Sequence, residues 1–254
     1  MKNSEIHLRL AFPDEIQDKQ LLSRYLELMN DEEKERYSRF RFAKDRHSFL
    51  VSRALVRTSL SCFHDIPPRE WQFSRNPYGK PEIISGSSRQ RLRFNLSHTQ
   101  GLSICALMQQ QDIGADAENT ERKMRGEDIA KRFFSAEETA LLRSLPENQR
   151  RDFFFRFWTL KEAYVKARGR GLSLPLDSFS FHSGSRTEIR ICFSPQADDN
   201  PADWQFRLFR PTSRHCAALA FRQEKGRDYS IVVKKAVPLL EEKEFTVSSS
   251  MSLT

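Results

Sequence analysis

The chain has 254 residues, of which 38% are hydrophobic and 30% charged, a composition that excludes a disordered polypeptide and leaves enough apolar material for one large or two small cores. No apolar run approaches the roughly 20 residues that a membrane-spanning helix requires, and the first residues lack the apolar core of a signal peptide. Forty-two basic residues against 34 acidic ones give a formal net charge of +8, which favours polyanionic partners.

The cysteines and the basic residues narrow the classes of protein further. Cys62, Cys105, Cys192 and Cys216 are scattered and form no CxxC pair, so reduced thiols and a cytoplasmic location are expected. The basic residues are dispersed, and the chain has no zinc-finger spacing, RNP-like aromatic motif or heptad basic region. We therefore expect neither a nucleic-acid partner nor a membrane partner.

The first half of the chain predicts a long helix followed by strands. Residues from Asp31 to Leu60 begin with acids and contain no Gly or Pro, and Pro67-Pro68 closes this helical segment. Strands are predicted to follow near Trp71–Phe73, Leu92–Asn95 and Leu102–Met108.

The second half repeats this order of elements. A strand at Ile113–Glu118 opens it, and we predict helices at Asp128–Phe134, Ala136–Leu145 and Asp152–Ala167 and strands at Phe179–Phe181, Glu188–Phe193, Trp204–Phe209, Ala217–Phe221 and Ser230–Lys234. Helices followed by strands, twice, indicate an α+β fold with two similar lobes. We expect residues 239–254 to form a flexible tail, because they contain a charge cluster and a run of serines.

The run from Ile113 to Glu118 alternates small apolar residues with acids. In a strand, Asp116 and Glu118 lie on one face, where the two carboxylates repel each other unless a cation lies between them. Oxygen ligands in small number suit Mg²⁺, which keeps several waters and shares substrate phosphates. The alternative is an edge strand or a turn with both acids in solvent.

The stretch from Phe157 to Lys166 combines an apolar helical stripe with a carboxylate and an ammonium group. Phe157, Leu160 and Tyr164 have the spacing of a buried helix face. Glu162 and Lys166 are one turn apart and share a different face, which in an arbitrary helix is most often a solvated ion pair.

Upstream, Phe94–Thr99 predicts a strand that runs into a polar loop. Ser97 and His98 are adjacent on it and point to opposite faces, so they would rarely meet as nucleophile and base. The G-x-S-x-G elbow of serine hydrolases is also absent. Phosphate binding by the hydroxyl and the imidazole is the more plausible use of the two side chains, and a structural histidine is the alternative.

Taken together, these motifs carry a family resemblance. Asn95-Leu96-Ser97-His98, Gly114-Ala115-Asp116-Ala117-Glu118 and Trp158-Thr159-Leu160-Lys161-Glu162-Ala163-Tyr164-Val165-Lys166 resemble, in order and spacing, the three signature motifs of 4′-phosphopantetheinyl transferases. More narrowly, the chain resembles the Sfp-like branch, whose broad-specificity members prime carrier domains in secondary metabolism. The resemblance implies a monomer with two lobes related by a pseudo-twofold axis, residues 1–110 and 111–238, the second of which carries the metal site.

The resemblance also implies the chemistry. Such enzymes transfer 4′-phosphopantetheine from coenzyme A to a serine of an apo carrier protein and release adenosine 3′,5′-bisphosphate. Mg²⁺, with Mn²⁺ as an alternative, would be held by Asp116, Glu118 and Glu162. Asp116, Glu162 and Lys166 would be catalytic, with Glu162 accepting the serine proton and Lys166 stabilising charge on the phosphates.

Coenzyme A contacts are implied by the same resemblance. The matching positions are Lys80, Ser97, His98, Arg36, Lys161 and Lys166, and Glu33 stands where the family has a second basic residue. Arg46 or Arg53 would compensate for that departure. Glu138 matches a further acid of the family, with a solvent-exposed helix position as the alternative. An acidic carrier would dock near Phe133 and Phe134, with core packing of the two rings as the alternative.

Two other functions remain open. A Mg²⁺-dependent nuclease or phosphodiesterase also uses carboxylates and a lysine, although the usual E-x-K spacing is missing here. A non-catalytic module that binds coenzyme A or a carrier protein would have no reason to retain carboxylates that repel one another.

Overall fold

A computed structural model describes residues 4–84, 91–123, 126–184, 188–195, 197–248 and Leu253. Its helices and strands, in chain order, are β1 (Glu5–Ala11), α1 (Lys19–Leu28), α2 (Asp31–Ser38), α3 (Ala43–Ser61), β2 (Phe73–Arg75), β3 (Pro81–Ile83), β4 (Leu92–Thr99), β5 (Leu102–Gln109), β6 (Ile113–Asn119), α4 (Gly126–Phe133), α5 (Ala136–Ser144), α6 (Glu147–Arg168), β7 (Phe179–Ser183), β8 (Ile189–Phe193), β9 (Trp204–Thr212), β10 (His215–Arg222), β11 (Ser230–Val237) and β12 (Glu241–Glu244). They form two compact units. Unit 1 comprises 1–76, 81–110 and 228–246, and unit 2 comprises 77–80, 111–227 and 247–254.

Unit 1 is a five-stranded sheet covered by helices. The strand order is β12-β11-β1-β5-β4, with β11 parallel to β1 and the other neighbours antiparallel. α3 packs on this sheet through a buried stripe that includes Phe49, Leu50 and Leu55. The single helix predicted over Asp31–Leu60 is wrong in one respect. The helix is interrupted between Ser38 and Ala43, where Phe42 has an extended backbone, and α2 buries no residue whereas α3 carries a long buried stripe.

Unit 2 has a three-stranded antiparallel sheet, β6-β10-β9, and a separate hairpin of β7 and β8. The long helix α6 packs against β6 and β10. Its predicted apolar face is confirmed, since Phe157 and Leu160 are 0% exposed and Tyr164 is 1% exposed. The core of unit 2 is rich in aromatic rings from α6 and from the hairpin.

The two units repeat one order of elements. Each has a strand, three helices and then four strands, so β1, α1–α3 and β2–β5 correspond to β6, α4–α6 and β7–β10. The sheet orders β1-β5-β4 and β6-β10-β9 correspond in the same way. The predicted α+β class and the helix-then-strands repeat are therefore confirmed, although no residue-level repeat is visible in the sequence.

The predicted boundaries of the second lobe and of the C-terminal tail differ from those in the structure. We assigned residues 111–238 to the second lobe, but β11 pairs with β1 from Glu5↔Ser230 to Leu10↔Lys235 and so joins unit 1. The tail 239–254 contains β12 and also Leu253, which is 1% exposed in the core of unit 2. Residues 249–252 and 254, part of the predicted tail, lie outside the described residues.

Strand β1 and helix α1 were not predicted from the sequence. β1 is buried on both faces, so its polar residues His7 and Arg9 are also buried and the usual alternation of exposed and buried positions does not mark it. All four cysteines are free thiols. Within the described ranges, no helix is both long and apolar enough to cross a membrane.

Candidate active site

Strand β6 carries two of the acids singled out in the sequence. Asp116 is 4% exposed and Glu118 is half-buried. In the antiparallel register they are paired with Ala218 and Cys216 of β10, whose small side chains take little space beside the carboxylates. The alternative in which both acids lie in solvent is therefore excluded.

Gly114 lets helix α6 approach β6 more closely than any side chain would allow. A Cβ atom at this position would lie 2.0 Å from the carbonyl oxygen of Ala163 and 2.3 Å from the backbone nitrogen of Ala167. The backbones of strand and helix are therefore in direct contact. This contact sets the depth at which the last turns of α6 lie over β6.

The close approach brings Lys166 of α6 to Asp116 of β6. The Lys166 ammonium donates to Asp116 Oδ1 at 2.6 Å, with 29% of the lysine side chain and 6% of the aspartate side chain exposed. Glu162 precedes Lys166 by one helical turn and is half-buried. The i,i+4 pair of Glu162 and Lys166, which in an arbitrary helix would most often be solvated, thus lies beside a buried carboxylate.

Glu118 and Glu162 lie in the negative field of Asp116. Burial, followed by the charge of Asp116, raises the pKa of Glu118 to about 7 against the opposing effects of Arg122, Trp158 and Lys166. Burial and then Asp116 also raise the pKa of Glu162, while Lys166 lowers it. The protein therefore holds carboxyl groups in positions that disfavour their ionised form unless a further cation is present.

Most contacts of these acids are with protein cations and donors. Glu118 Oε1 accepts from Trp158 Nε1 and from the Arg122 guanidinium, both at 3.0 Å. Within the described part of the chain, no three acidic, histidine or cysteine side chains stand close enough to hold a metal ion. The donor chemistry nevertheless fits Mg²⁺, which binds through one or two carboxylates and completes its shell with water and phosphate oxygens. The ligand set Asp116, Glu118 and Glu162 remains a prediction.

Lys161 does not belong with this group, and its expected contact with coenzyme A is wrong. Its side chain is 0% exposed, and its ammonium donates to the carbonyls of Leu176 and Phe179, each at 2.7 Å. Its third partner is Glu138, at 2.8 Å. With all three donors used inside the core, this lysine has none left for a ligand.

Glu138 is buried rather than solvated on its helix. It is 2% exposed, it completes a capping box with Ser135 at the start of α5, and it accepts from the backbone N–H of Phe181 at 3.0 Å. The Glu138–Lys161 pair thus ties α5, α6 and β7 together. A capping-box spacing was visible in the sequence, but nothing in it distinguished a buried cap from an exposed one.

Lys80 belongs to the segment Pro77–Lys80 of unit 2. Its ammonium donates to the carbonyl oxygens of Ala167 at 3.0 Å and Ile113 at 3.3 Å. These two residues flank the Gly114 contact, so Lys80 joins α6 and β6 at the same point. Its predicted contact with coenzyme A stays a prediction.

Unit 1 contains a cavity of about 890 Å³, which we name the basic cavity. His98 and Arg46 line it together with Lys44 and Lys19, and two acids, Asp14 and Asp45, also line it. Ser97 is 5% exposed whereas His98 is exposed, as expected for adjacent residues of a strand. The basic cavity is therefore the place in unit 1 where His98 and Arg46, two of the predicted phosphate contacts, occur together.

Arg36 and Arg53 line a second, smaller cavity of unit 1 with Glu33. Glu33 lies 2.7 Å from the Arg57 guanidinium, which is 0% exposed, and 3.9 Å from that of Arg53. Burial lowers the pKa of Arg53 to about 10, with Glu33 acting in the opposite direction. Arg46 and Arg53 were the two arginines expected to compensate for Glu33. Arg53 lies beside Glu33 in the smaller cavity, whereas Arg46 lines the basic cavity with His98.

Phe133 and Phe134, the two aromatic residues predicted to contact a carrier protein, differ in burial. Phe134 is 4% exposed and stacks on Phe154 in the core, so the alternative of core packing holds for this ring. Phe133 is partly buried and meets Trp158 edge to face. Lys131 and Arg132 are exposed.

Comparisons with known proteins agree with these motifs. Residues 112–220 match the model of the 4′-phosphopantetheinyl transferase superfamily, and residues 17–110 match that of the 4′-phosphopantetheinyl transferase N-terminal domain. The chain is 36% identical over 170 residues to 4′-phosphopantetheinyl transferase Sfp of Bacillus subtilis, covering 66% of this chain and 73% of Sfp. It is 39% identical over 145 residues to 4′-phosphopantetheinyl transferase HetI of a Nostoc species, covering 57% of this chain and 61% of HetI.

The chain therefore belongs to the 4′-phosphopantetheinyl transferase superfamily, a superfamily of enzymes. Among solved structures, it resembles the holo-[acyl-carrier-protein] synthase of Thermotoga maritima with a TM-score of 0.37 and 20% identity, over 55% of this chain and 83% of that one. The resemblance that we inferred from the three motifs is confirmed at the level of the superfamily.

Three features of the site were not inferred from the sequence. They are the helix–strand contact at Gly114, the hydrogen bond from Trp158 to Glu118, and the buried pair of Lys161 with Glu138. Gly114 was visible as a glycine inside a predicted strand, which often marks a close backbone approach. The other two depend on tertiary packing.

Proposed function

We propose that this enzyme transfers the 4′-phosphopantetheine group of coenzyme A to a serine of an apo acyl, peptidyl or aryl carrier protein and releases adenosine 3′,5′-bisphosphate. The observation that carries the proposal is the group formed by Asp116, Lys166, Glu118 and Glu162, held where β6 and α6 touch at Gly114. Mutually repelling carboxylates beside one lysine suit a site for a cation and a pyrophosphate.

We assign Mg²⁺, with Mn²⁺ as an alternative, to Asp116, Glu118 and Glu162. Such an ion would neutralise the pyrophosphate and stabilise the charge that develops on it during transfer. Arg122 and Trp158 hold Glu118 in a fixed orientation through its Oε1 atom, which leaves the second oxygen of that carboxylate for a ligand. Lys166, near the edge of the site, donates to phosphate oxygens.

The acceptor of the serine proton is Glu162, acting directly or through one water. Its raised pKa makes it a stronger base than an ordinary carboxylate, which suits a general base working near neutral pH. As the proton leaves, the serine oxygen attacks the phosphorus on the pantetheine side. The bond to the leaving bisphosphate breaks, and its charge is stabilised by Lys166.

For the nucleotide, we assign the 3′-phosphate to His98 and Arg46, which both line the basic cavity. Arg36 contributes positive charge from the smaller cavity, and its guanidinium lies over the ring of Phe49 at 5.3 Å. Ser97 and Lys80 are assigned further hydrogen bonds to coenzyme A. The expected partners are acidic carrier proteins, since the chain has a net charge of +8.

The test is a transfer reaction in which the mass of the carrier protein is measured. The protein is incubated with coenzyme A, Mg²⁺ and apo carriers of fatty-acid, peptide-synthetase and polyketide type, and each carrier is weighed intact. We expect a gain of one phosphopantetheine, lost on chelation with EDTA and restored by Mg²⁺ or Mn²⁺. Asp116→Asn should lower the rate at least about 10²-fold, whereas Glu27→Gln, at an exposed position of α1, should not.

The same preparation separates the competing functions. A phosphodiesterase would cut plain DNA or hydrolyse coenzyme A without any gain in carrier mass. A non-catalytic module would bind coenzyme A with no turnover and no need for a metal ion. We further propose that the enzyme acts as a monomer in a reducing, cytoplasmic compartment, which its four free thiols support.

A further inference from the structure

Asp199 is a buried carboxylate to which neither the sequence motifs nor the proposed reaction gives a role. It lies in the segment between β8 and β9 of unit 2, and its side chain is 4% exposed. Burying a carboxylate costs free energy unless hydrogen-bond donors and cations surround it. The identity of the donors around Asp199 therefore shows which elements its charge connects.

The donors come from one helix and two strands. Asp199 Oδ2 accepts from the Tyr164 hydroxyl at 2.6 Å and from Trp204 Nε1 at 2.9 Å, and it also pairs with the Arg168 guanidinium. The other oxygen accepts from the Arg222 guanidinium at 3.4 Å. Asp199 thus connects the C-terminal end of α6 with the first residue of β9 and the last residue of β10.

These contacts keep Asp199 ionised. Burial raises the pKa of Asp199, but the hydrogen bonds from Tyr164 and Trp204 and the charge of Arg168 outweigh it, so that the pKa lies below its ordinary value. Tyr164 in turn keeps its proton, because burial and the bond to Asp199 raise the pKa of its hydroxyl. At neutral pH the group is a carboxylate with charged and neutral donors, and hydrogen bonds to an ionised acceptor are the strong ones.

The two donors from α6 stand on either side of Lys166. Tyr164 and Arg168 are one helical turn apart and share a face of α6. Lys166 lies midway between them in the sequence and therefore on the opposite face. Arg168 is the last residue of the helix, which Gly169 ends in a left-handed conformation (φ +65°). Because the last turns of a helix fray unless contacts hold them, Asp199 stabilises the turn that carries Lys166.

We propose that Asp199 is a positioning residue, which fixes the end of α6 from one side so that Lys166 stays against Asp116 on the other. The proposal rests on the proposed function, in which the ammonium group of Lys166 lies beside the phosphates. A displacement of about 1 Å at a reacting group can cost about 10²-fold in rate. Among the described residues, Asp199 contacts none of the acids of the site, so its effect on the reaction passes through α6.

Hydrogen exchange of backbone amides tests this hold on α6 without any transfer reaction. In Asp199→Asn, which removes the charge and keeps the size, the amides of 165–169 should exchange at least about tenfold faster than in the parent protein. Asp152→Asn is the matched control, since Asp152 pairs with Arg156 and Arg210 near the other end of the same helix. It should leave the exchange of 165–169 unchanged. Equal acceleration in both variants would show a general loss of stability and would overturn the proposal.

Transfer kinetics connect the end of α6 with the reaction. Asp199→Asn should lower kcat/KM for coenzyme A at least about tenfold, with the KM for the carrier protein unchanged, and Asp152→Asn should alter neither. Faster exchange in Asp199→Asn with undiminished transfer would show a purely structural contact and would overturn the proposal.

Tyr164→Phe provides the same test in a variant that keeps its aromatic ring in the core. It removes only the hydroxyl donor to Asp199, so it should give the same two selective changes to a smaller extent. Parent-like exchange and kinetics in this variant would contradict the proposal even if Asp199→Asn did not fold. If the parent protein transfers nothing, the proposed function fails, and the exchange data alone then support or overturn the hold of Asp199 on α6.

Discussion

Glu162 and Lys161 are adjacent on α6, yet their surroundings give them opposite roles. Lys161 points into the core, where Glu138 and two carbonyls use all of its donors. Glu162 is half-buried and lies in the field of Asp116, which raises its pKa. The helix thus directs one residue into the core and holds its neighbour beside the carboxylate of Asp116.

Replacing Glu162 should separate activity from stability. Glu162→Gln keeps the size of the side chain and removes a charge that the folded state disfavours. A raised carboxyl pKa means that ionisation destabilises the folded protein, so at pH 7 the variant should be equally or more stable. Its transfer rate should fall by about 10²-fold or more. Urea unfolding and carrier mass measure the two quantities, and a variant that is less stable but fully active would contradict the assignment.

Replacing Lys161 should have the reverse effect. Lys161→Met leaves Glu138 buried without its cation, which typically costs about 3–5 kcal/mol. The double variant Lys161→Met/Glu138→Gln should recover part of that loss. Thermal or urea unfolding of the three proteins measures it. A stable Lys161→Met protein with a raised KM for coenzyme A would instead show that this lysine binds the substrate.

At the scale of elements, the site depends on how closely one helix lies on one strand. β6 has a glycine where α6 crosses it, and Lys80 donates to a carbonyl on each side of that crossing. The pair of Asp116 with Lys166 follows from this geometry. A side chain at position 114 would push α6 away from β6 and so disturb the pair of Lys166 with Asp116.

Gly114→Ala tests this contact. The added methyl group would overlap the Ala163 carbonyl and the Ala167 nitrogen, so α6 must move outward, at a cost of about 1–3 kcal/mol or more. We expect a lower unfolding midpoint and a loss of transfer activity. Gly226→Ala is the matched control, since it adds no contact within 4 Å and only forces a left-handed backbone (φ +77°), at about 1–2 kcal/mol. Full activity in Gly114→Ala would contradict the account.

The elements of the site were predictable from local patterns, the spacing of Phe157, Leu160 and Tyr164 in α6 and the alternation of small residues with acids in β6. The sequence indicated α6, β6 and most of the strands that follow within a few residues, and it identified Asp116, Glu118, Glu162 and Lys166 through their motifs. It did not indicate the burial of Lys161 or Arg57, because the carboxylates that neutralise them, Glu138 and Glu33, come from other elements. β1 was missed for a related reason, since both of its faces are covered.

At the scale of the whole molecule, the two units share one order of elements but differ at their edges. β11 and β12 extend the sheet of unit 1 beyond β1, whereas the sheet of unit 2 consists of β6, β10 and β9. The chain then returns to unit 2, where Ser248 accepts from the Arg210 backbone N–H at 3.0 Å and Leu253 enters the core. The last residues therefore contribute to the stability of unit 2.

Two leucines near the end of the chain test this contribution. Leu253 is 1% exposed and Leu240 is 63% exposed. Leu253→Ala should lower the free energy of unfolding by about 2–5 kcal/mol, as truncation of a buried leucine does. Leu240→Ala should change it by less than about 0.5 kcal/mol. If both substitutions had equally small effects on urea unfolding, the flexible tail expected from the sequence would be supported instead.

The proposed reaction makes two products in equal amounts, and their ratio is the most direct measurement of the central claim. One reaction with coenzyme A, Mg²⁺ and an apo carrier is sampled over time, and both holo carrier and adenosine 3′,5′-bisphosphate are quantified. The account predicts a ratio of one at every time point, with both products lost in Glu162→Gln and retained in Glu27→Gln. Nucleotide without holo carrier would indicate a phosphodiesterase, and undiminished holo carrier in Glu162→Gln would place the chemistry elsewhere.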